Sequence, residues 1–166
     1  MIVISDTTPL ISLLKINRLE LLHQLFGEIQ IPGAVYRELV SNVKFKQEAE
    51  LILQTRYIKK VDVDNRKSVL LLRRVTGLDE GESEAIILAD EINADILLMD
   101  EAKGRKVAKQ MEQNLMGTIG ILITAFEEKL ISNDEIIQCI RILREQGRHI
   151  SEQLYKQLID KIEFKS

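Results

Sequence analysis

Residues 94–101 read Ala-Asp-Ile-Leu-Leu-Met-Asp-Glu. Ile96 to Met99 is an unbroken apolar run bounded by polar residues, the pattern of a strand buried on both faces. Asp100 stands at its end. Upstream, Leu78-Asp79-Glu80-Gly81-Glu82 opens a strongly patterned helix that continues through Ile92 and is closed by Asn93-Ala94. A helix leading through a tight break into a buried strand suggests a unit of a parallel α/β sheet, and the rest of the chain repeats the theme.

Toward the N-terminus, Ile2 to Ser5 is a short, β-branched apolar strand stopped by Asp6-Thr7-Thr8-Pro9. Pro9 suits the first turn of a helix, and Asp6, Thr7 or Thr8 suits its cap. Helical character follows over Leu10–Leu14 and Leu19–Phe26, the latter ended by Gly27. Glu28–Ile31 is a second strand, closed by Pro32-Gly33 ahead of a helix from Val35. Phe45–Gln54 is helical, Ile58–Val63 alternates as a strand does, and Leu70–Val75 is a further apolar stretch. Toward the C-terminus, a helix is expected from about Lys103 to Glu112 and a short strand at Leu115-Met116. The turn Gly117-Thr118-Ile119-Gly120 then leads into a helix over Ile121–Lys129. Ser132-Asn133-Asp134-Glu135 has capping-box spacing, Gly147 ends the helix it opens, and Ser151 caps the last.

Strands alternating with helices through short connections predict a three-layer α/β fold: a central, mostly parallel sheet flanked by helices. There is no repeat, low-complexity tract or Pro/Gly/Ser linker, so one domain is expected over residues 1–166, with 131–166 as a C-terminal helical pair.

The 166 residues are 45% hydrophobic and 30% charged, but only 4% aromatic with no Trp, so the core must be built from Leu, Ile and Val. The single cysteine, Cys139, allows no internal disulfide. It sits in the apolar run IIQCIRIL, where a buried, inert thiol is expected, and this usage fits a reducing compartment such as the cytoplasm. The opening MIVIS is too short and lacks the basic leader of a signal peptide, and no run reaches membrane-spanning length. A net charge of −3 argues against avid, nonspecific duplex binding. It does not argue against an enzyme that holds a phosphodiester through bound cations.

In a parallel sheet, sites form beyond the carboxyl ends of the strands. Asp6 follows the first strand directly and Asp100 follows Ile96–Met99 directly. Helix capping is the plain structural alternative for each. Glu38 borders an apolar helical stripe, where a solvated residue is equally ordinary. Glu82 and Glu84 lie in the first turns of the helix that Asp79 begins. Asp79 and Glu82 have capping-box spacing, and residues two apart on a helix diverge by about 200°. His23 and His149 have no second ligand near them, so a zinc site is not expected. No strand-turn nucleophile is present, and Gly117-x-x-Gly120 lacks the rest of any phosphate-loop fingerprint. An all-carboxylate set suits hard cations, Mg²⁺ or Mn²⁺, whose chemistry is phosphodiester hydrolysis.

Several segments together resemble one family. Ile-Ser-Asp-Thr-Thr-Pro-Leu-Ile (4–11) resembles the opening of PIN domains, and Ile-Pro-Gly-Ala-Val-Tyr-Arg-Glu-Leu (31–39) resembles their second motif. Gly-Glu-Ser-Glu-Ala-Ile (81–86) and Ala-Asp-Ile-Leu-Leu-Met-Asp-Glu (94–101) resemble the third and fourth. Gly-Thr-Ile-Gly-Ile-Leu (117–122) completes a likeness to the branch related to VapC-type toxin ribonucleases, covering about residues 2–126. The resemblance implies catalytic metal ligation by Asp6, Glu38, Asp100 and one or both of Glu82 and Glu84. The third acid of the toxins is usually Asp. Gapless matching back from Asp100 lands on Glu82, whereas the Glu-x-Glu-Ala pair of related flap endonucleases favours both glutamates. Glu101 is a candidate extra acid. Thr118 looks like the hydroxyl lining the site, and Thr7, Lys103, Arg105 and Lys106 are candidate substrate contacts, a solvated helix face being the alternative for the three basic residues.

The implied activity is Mg²⁺- or Mn²⁺-dependent hydrolysis of single-stranded or looped RNA. The implied setting is a toxin–antitoxin pair: an antitoxin protein as partner, and a homodimer. The chief rival is a non-catalytic PIN-like module that binds RNA or protein. A DNA-directed nuclease shares the fold. A phosphoacceptor-type regulatory domain would want an acidic pair after the first strand, where this chain has one acid.

Overall fold

The computed structural model describes residues 1–147 and 150–165; His149 lies outside them. The chain divides into two compact units, Met1–Thr118 and Ile119–Ser166. The first holds five strands: β1 (Val3–Ser5), β2 (Ile29–Ile31), β3 (Ile58–Lys60), β4 (Ile96–Leu98) and β5 (Leu115–Met116). They form one sheet in the order β3-β2-β1-β4-β5, with every neighbouring pair parallel. Its helices are α1 (Thr7–Lys15), α2 (Glu20–Phe26), α3 (Gly33–Ser41), α4 (Lys46–Gln54), α5 (Arg66–Thr76), α6 (Glu80–Glu91) and α7 (Ala102–Gln110), with a single 3₁₀ turn at Val43–Phe45.

Successive strand side chains point to opposite faces. Ile4, Leu97 and Met99 join Val69, Leu78, Ala85, Ile86 and Ala108 in one apolar cluster, so α5, α6 and α7 pack on that face. Val3 and Leu98 point the other way and are fully buried too. Both faces are therefore covered, the three-layer α/β arrangement that the apolar strands predict.

Several elements differ in length from their sequence patterns. β3 stops at Lys60, short of the alternation that runs to Val63. α5 begins at Arg66, well before Leu70, because the Asn65 side chain accepts from the Ser68 N–H and caps it. Gly77, at φ 73°, closes α5 in the left-handed region that glycine adopts freely. α3 starts at Gly33, ahead of Val35.

Strand order places the site. The chain winds from β1 to β2 to β3 on one side, then returns to lay β4 on the other side of β1. The gap between the carboxyl ends of β1 and β4 is thus the switch point of the sheet, where open parallel sheets form their sites. Ser5 pairs with Leu98, and the Asp6 N–H donates to the Leu98 carbonyl at 3.0 Å. Asp6 and Asp100 consequently leave adjacent strands side by side.

Of the remaining helices, α8 (Thr118–Glu127) begins on the last residue of the first unit and otherwise lies in the second, which also holds α9 (Asn133–Glu145) and α10 (Glu152–Lys165). The capping box of Ser132 and Glu135 forms on α9 as its spacing predicts. Ile136, Cys139, Ile140 and Leu143 of α9 are buried, as are Leu158 and Ile162 of α10, and the Asn133 amide donates to the Ile162 carbonyl at 3.0 Å. Where the sequence suggested a helical pair from residue 131, the compact unit begins at Ile119 and takes in most of α8. Among the described residues, no helix is long and apolar enough to cross a membrane.

Candidate active site

Asp6 occupies the N-cap position of α1, yet its side chain makes no capping hydrogen bond. The carboxylate is 6% exposed. Thr7, the next residue, turns its hydroxyl to Glu38 Oε2 at 2.8 Å. Thr7 is buried and Glu38 half-buried, so the first turn of α1 holds the α3 glutamate over the strand ends.

The N-terminus of α6 comes up beside them. Asp79 Oδ1 accepts the Glu82 N–H at 2.7 Å, and Glu82 Oε2 accepts the Asp79 N–H at 3.1 Å, completing the capping box. Gly81 lies between these two acids. A Cβ built on Gly81 would stand 3.4 Å from Glu38 Oε2, 3.6 Å from Asp79 Oδ1 and 3.7 Å from Asp6 Oδ1. Three carboxylates from three separate segments therefore gather over a residue that presents no side chain. Capping-box spacing predicts a cap at Asp79 and nothing more. The oxygen that accepts the cap bond, Oδ1, is also the one 3.6 Å from the Gly81 Cβ position, so capping α6 itself carries the carboxylate to the space the acids share.

Glu84 is placed differently. It is 1% exposed, and cations and an amide surround it. Oε1 accepts the Ala34 N–H at 2.9 Å, while Oε2 accepts from Arg66 Nη1 at 2.7 Å and Arg37 Nη2 at 3.4 Å. The roughly 200° between residues two apart on a helix sends Glu82 toward the acids and Glu84 toward the arginines.

Asp100 is held at both oxygens by one residue: Thr118 donates its N–H to Oδ1 at 2.7 Å and its hydroxyl to Oδ2 at 2.6 Å. Gly117 permits this approach, because a Cβ there would lie 2.8 Å from Asp100 Oδ1. The same Cβ would meet Arg105 Nη1 at 3.3 Å, and that guanidinium donates to the Met99 carbonyl at 2.8 Å. Arg105 is thus anchored beside Asp100. With Ala102, Lys106 and Lys109 it lines an open depression that begins at Asp100. Lys103 leans instead toward the end of α5, its Nζ 3.1 Å from the Cβ position of Gly77.

The electrostatics follow this placement. Burial raises the Asp6 carboxyl to about 7; the Thr7 N–H opposes the rise, and the charges of Asp79, Glu82 and Glu38 add to it. Glu82 is also raised, first by burial and then by Asp79 and Glu101, against the pull of the Asp79 N–H. Burial alone would raise Glu84 as well, but hydrogen bonds from Arg66 and Ala34 and the charges of Arg66 and Arg37 outweigh it and lower the group. One set of acids is therefore crowded by its own charge, and its near neighbour is neutralised.

Among the described residues, no three Asp, Glu, His or Cys side chains already close on a point as ion ligands do. The donor chemistry nonetheless fits a hard divalent cation. The acids are all oxygen donors, their mutual repulsion is what a cation relieves, and their oxygens stand 3.4–3.7 Å from a position that any side chain at residue 81 would fill. Asp6, Glu38, Asp79 and Glu82 are brought together, Glu101 is close enough to Glu82 to raise it, and Asp100 leaves the strand adjacent to Asp6.

No curated protein matches this chain. A model of the PIN domain family does match it, over residues 2–163, and so runs through both compact units. The parallel sheet, the acids at its switch point and a match over nearly the whole length agree: the chain belongs to the PIN domain family, and so has the fold of a family of nucleases.

Proposed function

We propose that this protein is a Mg²⁺- or Mn²⁺-dependent endoribonuclease that hydrolyses phosphodiester bonds in single-stranded or looped RNA. The observation that carries the reading is the gathering of the Asp6, Glu38 and Asp79 carboxylates over Gly81 at the β1/β4 switch point. Asp6, Glu38, Glu82 and Asp100 would hold the cation, with Asp79 as a further acid on its edge. Bound there, the ion would supply water activation and neutralisation of the scissile phosphate and leaving oxygen.

The remaining work belongs to the chain. Thr7 orients Glu38 and Thr118 orients Asp100, each by a hydroxyl that donates to one carboxylate oxygen. Arg105 draws the substrate backbone alongside Asp100 while its other donor holds the Met99 carbonyl. Lys106 and Lys109 extend that cationic edge. Lys103, on the same helix, adds charge nearer Gly77 than the depression. Glu84 stays out of the ion's ligand set in this reading, because the Arg66 and Arg37 guanidinium groups already neutralise its buried carboxylate. A toxin role, with an antitoxin protein as partner, a homodimeric state and a cytoplasmic location rest on the family likeness.

The test is incubation of purified protein with a pool of folded RNAs in Mn²⁺ or Mg²⁺, beside EDTA controls and an Asp6→Asn variant purified identically. Cleavage by the wild type with metal, and by neither control, is the expected result. Equal cleavage by Asp6→Asn would assign the activity to a contaminant and remove the support for this reading.

A further inference from the structure

Glu84 lies two residues from Glu82, yet it faces a different set of partners. Its carboxylate joins three helices. It accepts from Ala34 in the first turn of α3, from Arg66 in the first turn of α5 and from Arg37 of α3, while its own backbone belongs to α6. Glu80, one turn earlier on α6, takes the remaining reach of both arginines, at 2.8 Å from Arg37 and 3.6 Å from Arg66. The Ala34 N–H is an amide of the first helical turn, which has no partner within its own helix. Glu84 supplies that partner from a position 50 residues away. Ala34 is also one turn before Glu38 on the same face of α3. The point at which Glu84 grips α3 therefore sits directly beneath the acid that α3 delivers.

We infer that Glu84, with Arg66, is a positioning clamp: it fixes the first turn of α3 against α6, so that Glu38 and Glu82 reach the same cation, without itself binding the ion. This rests on the metal site proposed above. A buried carboxylate with an amide on one oxygen and two guanidinium groups on the other is already neutralised and held in direction by groups other than an ion. A ligand role and a clamp role predict opposite signs for the loss of Arg66. If Glu84 were a ligand, removing a nearby positive charge would free it and favour cation binding. If Glu84 is the clamp, removing Arg66 loosens α3 and weakens binding.

The experiment measures Mn²⁺ affinity by calorimetry or electron paramagnetic resonance on the full chain, at a temperature where melting curves show every variant folded. Arg66 is half exposed, so Arg66→Met is expected to fold even where Glu84→Gln does not. The clamp predicts that Arg66→Met binds Mn²⁺ about tenfold or more weakly than wild type, the usual scale for losing an outer support of a metal site. It also predicts that Arg66→Lys recovers part of the loss, and that Glu84→Gln combined with Arg66→Met is no worse than the worse single variant. Mn²⁺ binding by Arg66→Met as tight as wild type, or tighter, overturns the clamp while leaving the metal site standing. No Mn²⁺ binding by the wild type overturns the metal site, and the clamp with it.

Discussion

The Thr7 hydroxyl donates to Glu38 Oε2 at 2.8 Å, joining residues 31 apart in the chain. Thr7 is 4% exposed, so this bond forms where water does not compete, and it sets the direction of a glutamate with three rotatable bonds. Thr7→Val keeps the shape and removes the donor. The expected outcome is a fall in kcat of about ten- to a hundredfold, the range for losing a group that orients a metal ligand. Melting should change by only about 1 kcal/mol. Steady-state cleavage of a fixed RNA, with a parallel thermal melt, reads both.

Gly81 separates stability from activity. A methyl group there meets Glu38, Asp79 and Asp6 oxygens at 3.4–3.7 Å, which is ordinary contact, so the fold accepts it. Alanine in a helix is favoured over glycine by about 0.5–1 kcal/mol. Gly81→Ala should therefore melt no lower than wild type while binding Mn²⁺ more weakly, because the methyl fills the space the carboxylates share. Unchanged Mn²⁺ affinity, measured by titration, would show that the acids do not meet their cation over this residue.

Asp6 makes the metal-free protein sensitive to pH. Its carboxyl titrates near 7 in the folded chain against 3.8 ordinarily. The folded state thus keeps a proton that the unfolded state has released. The resulting stability is full below pH 3.8, declines as pH rises, and is gone above about 7. In EDTA, melting should fall between pH 5 and pH 8 by an amount on the order of a few kcal/mol. Asp6→Asn should flatten that decline, and excess Mn²⁺ should restore the wild type at pH 8 by binding only the folded form. Glu84, lowered by its arginines, acts in the opposite direction and at more acid pH, below the ordinary carboxylate range. A wild-type melt in EDTA that does not fall over this window would contradict the account of Asp6.

Arg105 should report on substrate alone. Its guanidinium holds the Met99 carbonyl beside Asp100, outside the group of acids near Gly81. Arg105→Ala is expected to raise KM for RNA about tenfold, the loss of one charge-assisted contact of about 1.5 kcal/mol. It should also reduce the salt dependence of binding. Mn²⁺ affinity in the absence of RNA should not move. A fall in metal affinity equal to the rise in KM would instead place Arg105 among the supports of the metal site.

Local chemistry made much of this legible in the amino acids themselves. The apolar runs at Ile2–Ser5 and Ile96–Met99 marked buried parallel strands, and they placed Asp6 and Asp100 at carboxyl ends, because burial and strand period are properties of a few consecutive residues. The capping boxes of Asp79 with Glu82 and Ser132 with Glu135 were equally visible, since a cap is satisfied within one turn. The length of α5 was less legible, as its start depends on the Asn65 cap rather than on an apolar stripe. The partners of Glu84 were decided only by the tertiary structure. They lie at Ala34, Arg37 and Arg66, on helices whose approach to α6 no local pattern encodes. The same holds for the place of Asp79 among the acids and the openness of Gly81, which acquire meaning once α3 and the end of β1 are packed beside them. Which residues are acidic and where each strand stops is local information. Which carboxylates share a space, and which one is neutralised by arginine, depends on how elements distant in the chain pack, and that is a property of the folded core.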